Sequence, residues 1–144
     1  MAGEGRFQVA AGAIIQHRRS NKVLLIHRSQ SQYGGGIWEF PIGRLSQFET
    51  FEEGLRREVF EETGISDLVI GGPLSTFDFM RGEHSEENEV RAVVFTAQTK
   101  NQDVQLSKEH DAFKWLLIDE AIELATHPGI KRDLSLFAVS FKPS

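Results

Sequence analysis

The segment Gly43-Arg-Leu-Ser-Gln-Phe-Glu49-Thr50-Phe-Glu-Glu-Gly-Leu-Arg-Arg57-Glu58-Val-Phe-Glu61-Glu62-Thr-Gly64-Ile65 joins a polar loop to a helix whose two ends are both marked. Thr50-Phe-Glu-Glu53 fits a capping box, in which a threonine hydroxyl and a glutamate three residues on satisfy free backbone N–H groups, and Gly64 supplies the stop. A helix over 50–63 sets Glu58, Glu61 and Glu62 at i, i+3 and i+4, on one face at about 100° per residue. Phe51, Leu55 and Val59 form a neighbouring apolar stripe that docks the helix on a core. Gly54 falls on the carboxylate face, where it leaves room for an approaching group. Like charges at i,i+4 cost about 0.2–0.5 kcal/mol per pair. Two arrangements answer that cost. One is a solvated, salt-bridged face, since Glu52–Arg56, Glu53–Arg57 and Arg57–Glu61 are all i,i+4 pairs. The other is a bound divalent cation, and all-oxygen ligands favour Mg²⁺ or Mn²⁺ over zinc.

On the N-terminal side, Phe7–Ile15 and Lys22–His27 read as strands of a hairpin, joined by the polar turn at 17–21. Gly34-Gly35-Gly36 breaks the chain before a short strand, Ile37–Phe40, that Pro41 ends. No Gly-Lys-Ser/Thr follows these glycines, so they make a turn and not a phosphate-binding P-loop. On the C-terminal side, Leu68–Met80 and Val90–Ala97 read as strands, the first interrupted by Gly71-Gly72-Pro73. Glu83, Glu86, Glu87 and Glu89 form a solvated acidic cluster in and beside their connection. Trp115–Ile118 is a further short strand. Asp119–Thr126 and Pro128–Phe141 read as helices, with Asp119 as a cap and Pro128 in an opening turn. The order mixes α and β, and no repeat or linker divides residues 1–144, so the expectation is a single α/β domain.

Composition narrows the function classes. The chain has 144 residues, 40% of them hydrophobic, which is enough apolar material to order a core. It has no cysteine, which excludes a disulfide scaffold, a thiolate zinc site and a cysteine nucleophile. Sixteen Lys+Arg against 21 Asp+Glu leave a net charge of −5, which argues against a protein that coats nucleic acid. No apolar run approaches the roughly 18 residues of a membrane span. Met1–Arg6 carries an acid and two glycines where a signal peptide needs an apolar core, so a cytoplasmic location is expected.

Gly43, Glu49 and the run Arg57-Glu58-Val-Phe-Glu61-Glu62-Thr-Gly64-Ile65, spaced Gly-x5-Glu-x7-Arg-Glu, resemble the Nudix box at each of its defining positions. Trp38-Glu-Phe-Pro41 resembles the strand that enters the box in that family. Lys108–Trp115 resembles a segment that brings a further glutamate opposite it. The resemblance implies a Nudix-type α/β/α sandwich with a mixed sheet and a loop–helix–loop catalytic motif. It implies a hydrolase of diphosphate linkages that uses Mg²⁺ or Mn²⁺. Carried over by position, Glu61 and Glu62 are metal ligands, and Glu58 is a ligand or the base acting on water. Arg57 orients the box glutamates by ion pairing, and Gly43 shapes the loop and offers its backbone to the metal. Glu109 is a further metal ligand, base or substrate contact, and Arg28 meets a substrate phosphate. Glu49 is a structural partner of the helix, His110 is exposed, and Trp38 and Phe40 belong to the core. The sequence departs from the family pattern at two positions: Ile42 stands where Gly or Lys usually precedes Gly43, and Phe48 where Gly often precedes Glu49.

The run Leu106–Leu116 resembles that of diadenosine tetraphosphate hydrolases and of nucleoside or dihydroneopterin triphosphate pyrophosphatases. The expected substrate is therefore a small nucleoside polyphosphate, such as a (deoxy)nucleoside triphosphate, dihydroneopterin triphosphate or diadenosine tetraphosphate. A nucleotide-sugar pyrophosphatase is the alternative enzyme, and a non-catalytic Nudix-fold nucleotide sensor is the alternative class. A sensor would be expected to have lost box carboxylates, whereas Glu58, Glu61 and Glu62 are all present. The partners expected are small molecules, with no membrane and no nucleic acid; a homodimer is left open.

Overall fold

The computed structural model describes residues 3–32 and 34–140. Its elements, in chain order, are β1 (Gln8–His17), β2 (Val23–Arg28), β3 (Trp38–Glu39), β4 (Ile42–Arg44), α1 (Phe51–Thr63), β5 (Val69–Met80), β6 (Glu89–Thr99), β7 (His110–Leu116), α2 (Ile118–Leu124) and α3 (Pro128–Ser140), with one 3-10 turn at Glu86–Asn88. β1 and β2 read as nearly continuous apolar runs because both of their faces are covered. Ala11, Ala13 and Ile15, with Leu24 and Ile26, pack on one side against Leu55 and Val59 of α1. Ile14, with Val23 and Leu25, packs on the other against Ala121 of α2 and Leu134 and Phe137 of α3. The architecture is the expected α/β/α sandwich around a mixed sheet.

β1 runs parallel to β6 from Gln8↔Val90 to His17↔Thr99. β5 is antiparallel on the far side of β6, and β7 is antiparallel on β2. The β1–β2 hairpin is closed only at its turn. Gln16 pairs with Val23, the His17 N–H donates to the Lys22 carbonyl at 2.8 Å, and Asn21 takes a left-handed conformation with φ 60°, which a short polar side chain tolerates. Beyond the turn the two strands part, and β3 and β4 fill the gap. β3 pairs with β2 at Ile26↔Glu39 and His27↔Trp38, and β4 pairs with β1 at Ala10↔Arg44, Ala11↔Gly43 and Gly12↔Ile42. Ile26 and Ala11 face α1, so their cross-strand partners Glu39 and Gly43 face it too. The wedge thus carries an acid and a glycine beneath the carboxylate face of the helix.

Several expectations need correction. The strand expected at Trp115–Ile118 begins at His110 and ends at Leu116; its mixed burial along the sheet edge hides any alternation. α2 starts at Ile118, and its first free N–H, that of Leu117, donates to the Glu120 carboxylate at 2.9 Å. Asp119 therefore lies inside the first turn and is not the cap. Gly71-Gly72-Pro73, by contrast, interrupts the strand as expected, as register shifts of β5 against β6. α3 begins at Pro128 as expected, while Phe141 lies outside the described residues. Leu55 and Val59 are buried, but Phe51 remains 41% exposed and leans on Phe95 at a ring separation of 5.9 Å.

The capping box forms as read. Thr50 Oγ1 accepts from the Glu53 N–H, Glu53 Oε1 accepts from the Thr50 N–H (both 3.1 Å), and Gly64 closes the helix at φ 75°. Thr50→Ala should cost about 1 kcal/mol and lower the Tm by about 2–5 °C in a thermal melt. An unchanged Tm would mean that Glu53 and the sheet hold this turn alone.

Candidate active site

Arg57 organises the loop and the first half of α1. Its Nε and Nη2 donate to the two oxygens of Glu49 at 2.7 and 2.8 Å. Nη1 donates to Glu58 at 2.9 Å and to Glu61 at 3.2 Å, and Nη2 also reaches the Arg44 carbonyl at 3.0 Å. The expected Glu53–Arg57 pair is replaced by this fork, since the Glu53 carboxylate caps Thr50. Glu49 also accepts from the Ser46 N–H at 2.7 Å. The Arg57 hydrogen bonds, with that of Ser46, hold the Glu49 carboxyl down at about 2. A depressed carboxyl stabilises the fold above its unfolded value and loses that contribution as pH falls through the folded value. Between about pH 4.5 and about 2, wild type should therefore lose stability faster than Glu49→Gln in acid-denaturation profiles. Parallel profiles would show that the fork contributes nothing to stability.

The space left by Gly54 is filled from within the chain. A Cβ there would lie 2.1 Å from Leu45 Cδ2, so the glycine admits the loop and not an incoming group. Gly43 serves the site more directly. A Cβ on it would lie 2.1 Å from both Cδ and Oε2 of Glu58, so the bare backbone is what allows β4 to pass beside that carboxylate. Burial pushes the Glu58 carboxyl above its usual range, opposed by the Arg57 hydrogen bond.

Glu62, one turn further, is only 4% exposed. Burial, reinforced by the charges of Glu58, Glu39 and Glu109, pushes its carboxyl well above the usual range. Its Oε2 has no hydrogen-bond partner among the described residues. Glu61 turns away, 55% exposed and paired with Arg57.

The sheet supplies the facing groups. His110 Nε2–H donates to Glu39 Oε2 at 2.8 Å, and Arg28 Nε stands 3.2 Å from the same oxygen. Arg28 Nη1 lies 4.0 Å from Glu109. With Nε2 bonded to Glu39, Nδ1 is the ring atom left to bind a ligand, and it too is buried without a partner among the described residues. Glu62, Glu109 and His110 each offer a ligand atom within 4.8 Å of the others. Two buried ligand atoms without a partner among the described residues, beside a third acid, are what a divalent cation would satisfy, so these residues fit a metal ion.

Arg28, Gly43, Glu58, Glu62 and Glu109 line one cleft of about 1330 Å³, and Glu61 does not line it. The same cleft extends across the sheet to the face that α2 and α3 leave uncovered. Asp133 of α3 accepts from Ser75 Oγ at 2.7 Å. Beyond that row lie Phe77 and Phe79 of β5, stacked at 5.6 Å. Phe40 is buried in the core as read, and Trp38 packs at its edge. Ile42 also packs on that side, near Phe77.

Sequence reasoning missed two members of the cluster. His110, expected in solvent, has a fully covered side chain. Glu39 alternates with Trp38 and Phe40 of the core and so lies on the opposite face of its short strand, which is the signal that could have found it.

Comparison with known proteins gives the class. A NUDIX domain model matches residues 6–136, and the chain belongs to the Nudix family. It is 31% identical over 132 residues to the asymmetrical bis(5'-nucleosyl)-tetraphosphatase of Sus scrofa, covering 85% of this chain and 87% of that protein. It is 40% identical over 65 residues to the 8-oxo-dGTP diphosphatase of Proteus vulgaris, covering 45% and 56%. Among solved structures, the MutT protein from Methanosarcina mazei Go1 matches with a TM-score of 0.76 at 30% identity, covering 98% of this chain and all of that one (100%). Against several curated relatives the chain spans only 30% to 64% of their length. Among the described residues no helix is long and apolar enough to cross a membrane.

Proposed function

We propose that this chain hydrolyses a diphosphate linkage in a nucleoside polyphosphate, with Mg²⁺ or Mn²⁺ as cofactor. The observation that carries the reading is the buried Glu62 oxygen, without a partner among the described residues, beside Glu109 and His110, in a cleft that also receives Arg28. Glu62, Glu109 and His110 would hold the ion, with Glu58 supplying a further carboxylate from α1; Glu61 would have to leave Arg57 and turn inward to join them. A divalent ion bound there would neutralise the negative charge of the phosphates and help a water to ionise. Glu58 is suited to take the proton from that water, since burial already raises its proton affinity while Arg57 fixes its position. Arg28 offers its guanidinium to a phosphate, and its contacts with Glu39 and Glu109 keep it aimed into the cleft. Gly43 keeps the approach to Glu58 free.

Substrates named for two relatives, a bis(5'-nucleosyl) tetraphosphate and 8-oxo-dGTP, support the nucleoside polyphosphate class. The test is a panel of canonical and oxidised (deoxy)nucleoside triphosphates, dihydroneopterin triphosphate, diadenosine tetraphosphate and nucleotide sugars, assayed with Mg²⁺ or Mn²⁺ and resolved by chromatography. One nucleoside polyphosphate should be cleaved far faster than the rest, and chelation with EDTA should abolish turnover. Preference for a nucleotide sugar would replace this reading, and nucleotide binding without product would make the chain a sensor.

A further inference from the structure

Among the described residues, only Asn21 and Phe48 combine a side chain with a positive φ. Asn21 belongs to a hairpin turn, where its type is common. Phe48, at φ 71°, has no such accommodation, because its Cβ crowds the backbone in the left-handed region. It occupies the third position of the turn Ser46–Glu49, where a positive φ ordinarily calls for glycine or asparagine. The turn is closed by the Glu49 N–H donating to the Ser46 carbonyl at 3.1 Å, and by the Ser46 N–H donating to Glu49 Oε1 at 2.7 Å. Glu49 cannot swing away to relax it, since Arg57 grips both of its oxygens. The conformation is imposed by its neighbours, yet the ring it carries is 94% exposed, so packing within the chain does not offset the strain.

The ring stands in the lining of the cleft that holds Arg28, Glu58 and Glu62. Along the loop Leu45 packs inward on the core while Arg44, Ser46, Gln47 and Glu49 are polar, which leaves one exposed aromatic face among them. A protein partner would need a wider apolar patch. A planar heterocycle needs only the face of one ring.

We propose that Phe48 is a specificity-determining residue that stacks on the base of the nucleotide whose phosphates lie at the carboxylate cluster. The proposal rests on the nucleoside polyphosphate reading above. It explains why an aromatic side chain is held in a strained turn at the rim of the site.

The test measures binding, by calorimetry, of a methylene-bridged nucleoside triphosphate analogue and of inorganic tripolyphosphate, which has phosphates but no base. Wild type is compared with Phe48→Leu, Phe48→Gly and Phe48→Trp. Phe48→Leu keeps the strain and the apolarity but loses the π-face. It should bind the analogue about 10-fold more weakly and tripolyphosphate equally, and in turnover the loss should fall on KM and not on kcat. Phe48→Gly should show the same loss with a higher Tm, since the strain is released. Phe48→Trp should keep its affinity, and the added indole emission should be quenched by the nucleotide. Unchanged nucleotide affinity in the Leu and Gly variants overturns the proposal, and so does an equal loss for nucleotide and tripolyphosphate. A wild type that binds tripolyphosphate but neither binds nor cleaves any nucleotide overturns the substrate reading itself, and this proposal with it.

Discussion

Glu62→Gln should cut metal-dependent turnover by at least ~100-fold and yet melt at a higher temperature than wild type when metal is absent. Both effects come from one buried carboxylate whose second oxygen has no partner among the described residues. Burial raises the folded-state value of Glu62 well above the usual 4.5. Over the interval between the two values the folded chain holds a proton that the unfolded chain has released, so stability falls as pH rises through it. Above the raised value the whole penalty remains. Glutamine has no charge to bury, so its advantage should be absent in acid and should grow as pH rises from about 4.5. Calorimetry from pH 4 to 8 checks this. Added Mn²⁺ should raise the Tm of wild type by mass action and leave Glu62→Gln nearly unmoved. Glu61→Gln is the contrast: it should show no gain in stability, because Glu61 is exposed, and a loss of activity there would show that Glu61 turns inward when the ion binds. A Glu62→Gln protein that keeps most of its activity would remove Glu62 from the site.

Gly43→Ala should lower turnover by about 100-fold, the cost that displacement of a catalytic group by about 1 Å can carry. The added methyl would enter the space of the Glu58 carboxylate, at 2.1 Å from its Cδ and Oε2. The obstructed group is the end of a flexible side chain, so the carboxylate should move and the fold should survive, with a Tm within a few degrees of wild type. Gly43 has no left-handed φ, so its requirement is room and not backbone freedom. Full activity in Gly43→Ala, with Glu58→Gln inactive, would show that Glu58 works equally well from a displaced position.

The helix, its caps and its carboxylate face were legible because those signals are local, set by residues three or four apart. The α/β/α layering was legible only through the resemblance, since the apolar runs of β1 and β2 by themselves gave a hairpin. What escaped is set by pairing between distant segments. Glu39 and His110 meet only because β3 and β7 both flank β2, and no short window of sequence contains both residues. The use of Gly54 was misread for the same reason, since Leu45 comes from the preceding loop. Arg57 had two acids within reach along the helix, but its fork closes on Glu49, which precedes the helix. The start of β7 was lost because an edge strand with mixed burial has no period to read.

The parallel pairing of β1 with β6 also bears on how the protein is made. Gln8 finds Val90, and His17 finds Thr99, only after most of the chain between them has emerged. Such non-local contacts require loop closure before they stabilise anything, which slows folding. During synthesis β1 waits with one edge unpaired, and such an edge invites association with other chains. The cluster under α1 lacks Glu109 and His110 until the start of β7 arrives. The nascent N-terminal half would therefore carry the helix and its glutamates without the sheet that gives them a cleft, and ligand binding should be among the last properties the chain acquires.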